Sequence, residues 1–169
     1  MAMVGLFWIT EDSVYVGSPP AVDGRCVRLD AEGVQAIDED GAHAWRWTEL
    51  RSATVEAVPV RGTAGRGVGA ALGRAIEALL TAGVGLGSEP PEMTLCLATA
   101  DGTEEVPVHC AAAGGYGSEE IALSQSLLAR LVAGTADLGA VESWGRSNGG
   151  LGTPKPPVRE ALLRGWTEP

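Results

Sequence analysis

Residues 33–50, GVQAIDEDGAHAWRWTEL, constrain the fold of this chain more than any other segment. Two β-prone runs flank a tight acidic turn at residues 38–41, and this order predicts an antiparallel hairpin that leads into a further strand. The second run carries Trp45 and Trp47, which lie two residues apart and would share one face of a strand. Their large apolar area favours burial, so the segment predicts a β-meander with both tryptophans in the core.

Further short β-prone runs lie on both sides of this segment. Glu11 and Asp12 separate two such runs and predict another hairpin, while Asp101-Gly102 is a strong turn signal between two more. Proline cannot donate to a strand ladder, so Pro59 predicts a strand end or an edge. The pattern predicts an α+β, mainly β fold, an antiparallel sandwich or barrel of about seven short strands. Outside the tryptophan hairpin the predicted strands are residues 4–10, 13–17, 25–29, 52–60, 93–99 and 105–110.

A glycine- and alanine-rich segment, residues 61–90, interrupts the strands and predicts an inserted helix over residues 70–82. Gly65, Gly69 and Gly73 are four residues apart, so if the helix extends backwards they would line one face, which permits close approach of another helix or a sheet. Three roles are open for this helix. It packs on its own sheet, or it forms an oligomer or partner interface, or it lies on a membrane surface. In the last case only Arg66 and Arg74 would meet lipid headgroups. The residues predicted to bind a partner here are Gly65, Gly69, Gly73, Leu72, Ile76 and Leu80.

A second, amphipathic helix is predicted to begin at Ser118 and to close the sheet as a C-terminal capping helix. The Ser118 hydroxyl can cap the helix, and the two glutamates that follow complement the positive end of the helix dipole. Gly134 ends the helix. These signals predict one domain over residues 1–134, with the insertion at residues 61–90.

Residues 135–169 carry no strand pattern and predict a flexible tail. The middle of this tail is rich in glycine and proline and offers little apolar surface to offset the entropy of ordering. A short amphipathic helix is predicted near residues 158–166, with Leu162, Leu163 and Trp166 on one face as candidate partner-binding residues. A helix this short is marginally stable alone, so it docks either on its own domain or on a partner.

Composition and charge exclude several classes of partner. The chain has 169 residues, enough for one domain with a tail, and a formal net charge of −10. Nucleic-acid affinity rests mainly on clustered Lys and Arg, so no nucleic-acid partner is expected. No apolar run reaches the roughly 18–20 residues that a transmembrane helix needs. Cys26, Cys96 and Cys110 are odd in number and follow no secretory signal, which predicts reduced thiols and a cytoplasmic location.

The order of short antiparallel strands followed by one amphipathic helix resembles the pleckstrin-homology-like (PH-like) domains of bacteria. Residues 24–58 carry the resemblance, because a strand, an acidic glycine turn and a second strand with a tryptophan precede a polar, an acidic and an apolar residue. The whole chain also looks like uncharacterised proteins of actinomycete bacteria, from which no activity follows. The matching residues are Val34, Asp40, Gly41, Trp47, Thr48, Glu49 and Leu50.

The PH-like resemblance has one implication for the ligand. PH-like domains that bind phosphoinositides use clustered Lys and Arg between their first strands, where this chain has the acidic sequence TEDS at residues 10–13. What the resemblance implies here is therefore protein binding by the sheet edge or by the helix.

No catalytic or metal-binding motif accompanies these features, and no cofactor is predicted. His109 and Cys110 are adjacent, but neighbours on a strand point to opposite faces and would not form a catalytic dyad. The cysteines and histidines offer no CxxC or HxxxH spacing for zinc. A ligand pocket is the remaining alternative, with Tyr116 as an aromatic contact, His109 beside it and the helix start at Ser118 as an anion seat.

Two functional hypotheses follow from the sequence. The first is a non-catalytic interaction or scaffold module that binds a protein partner, or a second copy, through the inserted helix or the tail. The alternative is a small-ligand-binding protein or an enzyme with a pocket near Tyr116 and His109. An exposed interaction surface favours the first, and a concave site with converging polar groups favours the second.

Overall fold

The computed structural model describes residues 1–20, 24–62, 91–148 and 150–168. Within these residues the chain forms nine strands, three α-helices and one 3-10 turn at Trp47–Glu49. The strands are β1 (Ala2–Val4), β2 (Phe7–Ile9), β3 (Val14–Val16), β4 (Cys26–Leu29), β5 (Gly33–Asp38), β6 (Gly41–Arg46), β7 (Ser52–Glu56), β8 (Glu92–Ala98) and β9 (Thr103–His109). The helices are α1 (Ser118–Val132), α2 (Leu138–Asn148) and α3 (Pro156–Thr167).

The strands form two antiparallel sheets. Strands β1 to β6 pair in sequence order as a six-stranded meander, and β7, β8 and β9 form a separate three-stranded sheet. The predicted α+β, mainly β class with antiparallel pairing is confirmed. Neither sheet closes into a barrel in the described part of the chain, because β1 and β6 do not pair with each other.

The turn chemistry read from the sequence produces the expected hairpins. Asp38 pairs with Gly41 across the turn between β5 and β6, and the Asp38 carboxylate accepts the backbone N–H groups of Asp40 and Gly41 at 2.9 and 3.1 Å. The Asp101-Gly102 turn joins β8 to β9, with the Thr99 N–H donating to the Gly102 carbonyl at 2.7 Å. Short polar side chains and glycine satisfy the backbone where the strands reverse.

Alternation along the meander places one row of side chains in the core. Phe7, Val16 and Val27 are cross-strand neighbours, and all three are buried. Burial of such side chains contributes about 1.5–3 kcal/mol each to folding. The same apolar cluster takes in β8 and α1 through Leu95, Leu97, Leu127, Leu128 and Leu131.

The tryptophan pair departs from the sequence prediction. Strand β6 ends at Arg46, whose backbone N–H donates to the Glu49 carboxylate at 3.0 Å, and the chain turns there. Trp47 therefore begins the 3-10 turn, and its indole N–H donates to the Asp30 carbonyl at 3.0 Å. Trp45 and Trp47 do not share a strand face, although both are half-buried against the core.

The start of α1 also differs from the prediction by one residue. Gly117 is the N-cap, and its backbone N–H donates to the Glu120 carboxylate at 3.1 Å. Ser118 is the first helical residue and makes no capping hydrogen bond in the described part of the chain, because the third helical residue already satisfies the N-cap. The helix ends where expected, with Gly134 in the left-handed conformation at φ +66°.

The tail, residues 135–169, contains the two helices α2 and α3. The sequence predicted only a helix near residues 158–166, and α3 covers it. The unpredicted α2 is anchored by Leu138, Val141 and Gly145, all of which are buried. Trp144 of α2 packs edge-to-face with Trp166 of α3, with ring centroids 6.0 Å apart. The two helices are therefore packed on the chain's own domain.

The contact of α2 with β2 leaves no room for a side chain at Gly145. A Cβ built on Gly145 would lie 2.4 Å from the Thr10 carbonyl oxygen and 2.7 Å from Ile9 Cγ2. We expect Gly145→Ala to lower the free energy of unfolding by about 1–3 kcal/mol, although alanine is the better helix former. Gly165→Ala in α3 is the matched control, because its Cβ would meet nothing within 4 Å. The control should be neutral or stabilising by up to about 1 kcal/mol in urea denaturation, and equal effects at both sites would contradict this packing.

Helix α3 joins α1 through a buried ion pair. Glu120 is 1 % exposed and Arg159 is 4 % exposed, and the guanidinium donates to both carboxylate oxygens. Arg159 also donates to the Pro154 carbonyl at 2.9 Å. Burial alone raises the pKa of Glu120, but the hydrogen bonds from Arg159 and from the Gly117 N–H outweigh it and hold the pKa below its usual value. Glu120 is thus a buried, fully ionised anchor for the C-terminal helix.

Candidate functional site

Every strand at the edge of a sheet exposes unpaired N–H and C=O groups that another strand can bind. Proteins protect such edges by covering them, or by placing charges and proline on them. The described part of the chain has four edge strands, which are β1 and β6 in the meander and β7 and β9 in the smaller sheet. The four edges are treated differently, and the difference defines the candidate site.

Two edges are covered by the chain itself. At β1, the Met3 N–H donates to the Thr153 hydroxyl at 3.0 Å, and α3 lies against the same strand. At β7, the side-chain amide of Gln125 in α1 imitates a strand: its oxygen accepts the Val55 N–H at 3.1 Å, and its nitrogen donates to the Val55 carbonyl at 2.6 Å. Both edges are closed to a further strand at these positions.

The third edge, β9, is blunted by its sequence. Its carbonyl at His109 is already occupied, because it accepts the Ser18 N–H at 2.8 Å. Since peptide groups alternate along a strand, Pro107 and Glu105 face the same free edge as His109. Pro107 has no N–H to offer, and Glu104 and Glu105 place two exposed charges on the strand. A strand that approached β9 would find no N–H donor at Pro107 and would meet the carboxylates of Glu104 and Glu105.

The fourth edge, β6, has none of these protections. Residues Gly41 to Arg46 pair one-to-one with β5 without a bulge, and the strand has no proline and no charge before Arg46. Five of its six residues are exposed, and Trp45 is half-buried. On the sheet face that Trp45 shares with His43, the two rings stack with centroids 6.4 Å apart. An exposed edge of this kind, without a bulge and uncharged up to its last residue, is a template for strand addition.

The hydrogen-bond register identifies the groups that β6 offers. The Trp47 N–H donates to the Glu32 carbonyl at 3.0 Å, so Val34 and Trp45 form a hydrogen-bonded pair and Gln35 and Ala44 do not. By alternation, the peptide groups of Ala42 and Ala44 point away from β5. Within the described residues they have no hydrogen-bond partner, whereas the next outward N–H, that of Arg46, is taken by Glu49. The free edge therefore presents two N–H and two C=O groups.

A shallow groove of about 240 Å³ adjoins β6. Its floor is polar, because Arg28 donates to the Gln35 side chain at 2.8 Å and the Gln35 amide donates to the Asp30 carboxylate at 2.9 Å. Arg46 lies on the rim, and its guanidinium makes no ion pair with the described residues. The groove is lined by Asp30, Glu32, Gly33, Val34, Gln35, Ala44, Trp45 and Arg46.

The structure describes three of the nine predicted partner-binding residues, all of them on α3. The six residues of the inserted helix, Gly65 to Leu80, lie outside the described residues. In α3, Leu163 is fully buried against the chain's own core, while Leu162 and Trp166 are half-buried and pack on the same cluster. The apolar face of the tail helix is therefore occupied within the chain.

Two of the three predicted pocket residues contact other groups of the protein, and the third is exposed. Tyr116 is fully buried, and its hydroxyl accepts the Ala111 N–H at 3.1 Å. Burial, followed by the neighbouring Cys110, raises the pKa of Tyr116, so the phenol stays protonated. The Arg25 guanidinium lies 3.3 Å from His109 Nε2. Ser118 is exposed at the start of α1. Tyr116 fixes the connection between β9 and α1 and does not line an open site.

The cysteines show no sign of reactivity. All three are free thiols, and burial raises the pKa of Cys26 and Cys96, which disfavours the nucleophilic thiolate. In the described parts of the chain, no group of three His, Cys, Asp or Glu side chains is placed to hold a metal ion. None of the helices described is long and apolar enough to cross a membrane.

Fold and site together define a small α+β protein whose described surface presents one open edge strand. The chain matches no protein-family model, no curated protein and no solved structure. The sequence predicted β6 correctly as a strand but not as the site, because strand order within a sheet is not visible in a single sequence. The available signal was the uncharged run from Gly41 to Trp45 beside small alanines, in a chain that elsewhere places Glu and Pro on its edge.

Proposed function

We propose that this protein is a non-catalytic protein-interaction module whose β6 edge binds an extended segment by strand addition. One observation supports the proposal: of the four sheet edges in the described residues, three are covered or blunted, and β6 is exposed, without a bulge and without a charge from Gly41 to Trp45. In strand addition, main-chain hydrogen bonds provide affinity and alternate side chains provide specificity. The free groups of Ala42 and Ala44 would supply the hydrogen bonds, and the adjoining groove would take one row of side chains.

The PH-like resemblance is part of this proposal. The strands precede α1, and α1 packs on β7 and on the 3-10 turn, which is the order that the resemblance implies. We propose a cytoplasmic location as well, because three unpaired thiols suit a reducing compartment.

The test is a peptide selection with a backbone variant of the edge. Peptides from a random displayed library are selected on the immobilised full chain, and their affinities are measured by fluorescence anisotropy. Ala44→Pro removes one outward N–H and adds a ring on the free edge without breaking a bond to β5. We expect it to weaken the selected peptides at least about tenfold, equivalent to about 1.4 kcal/mol.

Two further variants make the test specific. Glu105→Pro places the same ring on the free edge of β9 and should leave affinity unchanged. Ala42→Lys keeps every backbone N–H but adds a charge on the β6 edge, so it should also weaken peptide binding. It tests the edge even if circular dichroism shows that Ala44→Pro folds poorly. Failure of a chain that is monomeric in solution to select any peptide, or selected peptides that bind all variants equally, would overturn the proposal.

A further inference from the structure

We propose that the strand bound at β6 is β6 of a second copy of this chain, so that two meanders join into one continuous sheet across a twofold axis. This inference rests on the proposed function, because it uses the same edge and names its occupant. Closed twofold pairs are the commonest symmetric assemblies, and their interfaces are self-complementary. The test of self-complementarity at β6 is whether hydrogen bonds and charges both match when the strand is paired with itself.

The hydrogen bonds match in one antiparallel register. With His43 opposite the partner's His43, Ala42 faces the partner's Ala44 and Ala44 faces the partner's Ala42. Both members of each pair point outward, so all four free peptide groups of each strand are used. A shift of one residue along both strands would instead require the Arg46 N–H, which already donates to Glu49, or in the other direction the Asp40 N–H, which already donates to Asp38. The small alanine side chains leave no steric obstacle between the strands.

The charges match in the same register. Asp40, in the acidic turn before β6, falls opposite the partner's Arg46, and Arg46 falls opposite the partner's Asp40. Neither side chain forms an ion pair with the described residues of its own chain, so both are available. A chain with net charge −10 repels its copy at long range, but salt screens that repulsion beyond about 8 Å at physiological ionic strength. The local pairs then set the register.

Charge reversal tests the register directly. Sedimentation equilibrium of the full chain should give a mass of twice 17.3 kDa at high concentration, with dissociation on dilution. Asp40→Arg and Arg46→Asp each place like charges opposite each other at two symmetric positions. We expect each single variant to raise the dimer dissociation constant about tenfold, and the double variant to return it to within about threefold of the wild-type value.

The pair of single variants also separates register from overall charge. Asp40→Arg makes the chain less acidic and Arg46→Asp makes it more acidic, so long-range repulsion predicts opposite effects, whereas pairing predicts that both weaken the dimer. Ala44→Pro should weaken it as well, and Glu105→Pro should not. Opposite effects of the single variants, or a double variant no better than either, would overturn this register.

The result is distinguishable from a failure of the proposed function. A wild-type chain that is monomeric throughout, yet binds selected peptides in an Ala44→Pro-sensitive way, would overturn self-pairing and leave the open edge as a site for a foreign extended segment. A monomer that also selects no such peptide would overturn both.

Discussion

Replacing Arg159 with methionine is expected to lower the free energy of unfolding by about 3–5 kcal/mol, because it leaves the Glu120 carboxylate buried without its cation. Glu120 is 1 % exposed, and after the substitution the Gly117 N–H is the remaining donor to its carboxylate among the described residues. Methionine keeps most of the length and apolar volume of the arginine stem, so the loss reports the charge and its hydrogen bonds. Urea denaturation at neutral pH measures it.

A double variant separates the ion pair from simple loss of packing. Glu120→Met with Arg159→Met removes both charges, and buried ion pairs replaced by apolar residues often keep or gain stability. We expect the double variant to be more stable than Arg159→Met alone, despite the unpaired Gly117 N–H. A double variant less stable than the single one would show that the carboxylate is not destabilised by the loss of its partner.

The same pair predicts how stability depends on pH. The pKa of Glu120 is lowered in the folded protein, so its contribution is present above the unfolded value of about 4.3 and is lost as the pH falls through the folded pKa. In Arg159→Met, burial dominates and raises that pKa, so acidification protonates Glu120 and relieves its penalty. The difference in stability between wild type and Arg159→Met should therefore shrink as the pH falls from the raised pKa of the variant, above about 4.3, to the lowered pKa of the wild type, below about 4.3. A difference independent of pH would exclude the ion pair as its cause.

Local chemistry made the hairpins predictable. The acidic glycine turn before β6 and the Asp101-Gly102 turn before β9 are short-range signals, because the side chain of Asp38 and the flexibility of glycine act on adjacent peptide groups. The limits of α1 were predictable within one residue for the same reason. Local signals fix where a strand begins and ends.

Long-range contacts account for what the sequence did not reveal. Helix α2 is held by the close approach of Gly145 to β2, which depends on a contact over more than a hundred residues of chain. Gln125 looks like an ordinary polar helix residue until its amide is found against Val55. The candidate site also depends on long-range contacts. Among the described edges, β6 stands out as open because β1, β7 and β9 are covered or blunted by other parts of the fold or by their own sequence. The uncharged run in β6 is a local pattern, but it does not show which strands lie at the sheet edges.

Leu163→Ala is expected to lower the free energy of unfolding by about 2–5 kcal/mol, because Leu163 is fully buried and its removal leaves a cavity between α3 and the turn from β1 to β2. A Cβ on Gly5, in that turn, would lie 2.9 Å from Leu163 Cδ1, which shows how closely the leucine approaches the turn. Half-buried Leu162 is the matched control, and Leu162→Ala should lose less than half as much in the same denaturation experiment.

Comparison of Leu163→Ala with Leu162→Ala also tests whether α3 stabilises its own domain or docks on a foreign protein. If α3 docked on a foreign protein, Leu163→Ala would leave the stability of the isolated chain unchanged. If α3 completes its own domain, the variant loses stability and its helix becomes sensitive to proteolysis, while Leu162→Ala stays resistant. The second outcome is expected, because Arg159 of α3 donates to the buried Glu120 carboxylate and α3 lies against the β1 edge. By closing β1, the helix leaves β6 as the open end of the meander.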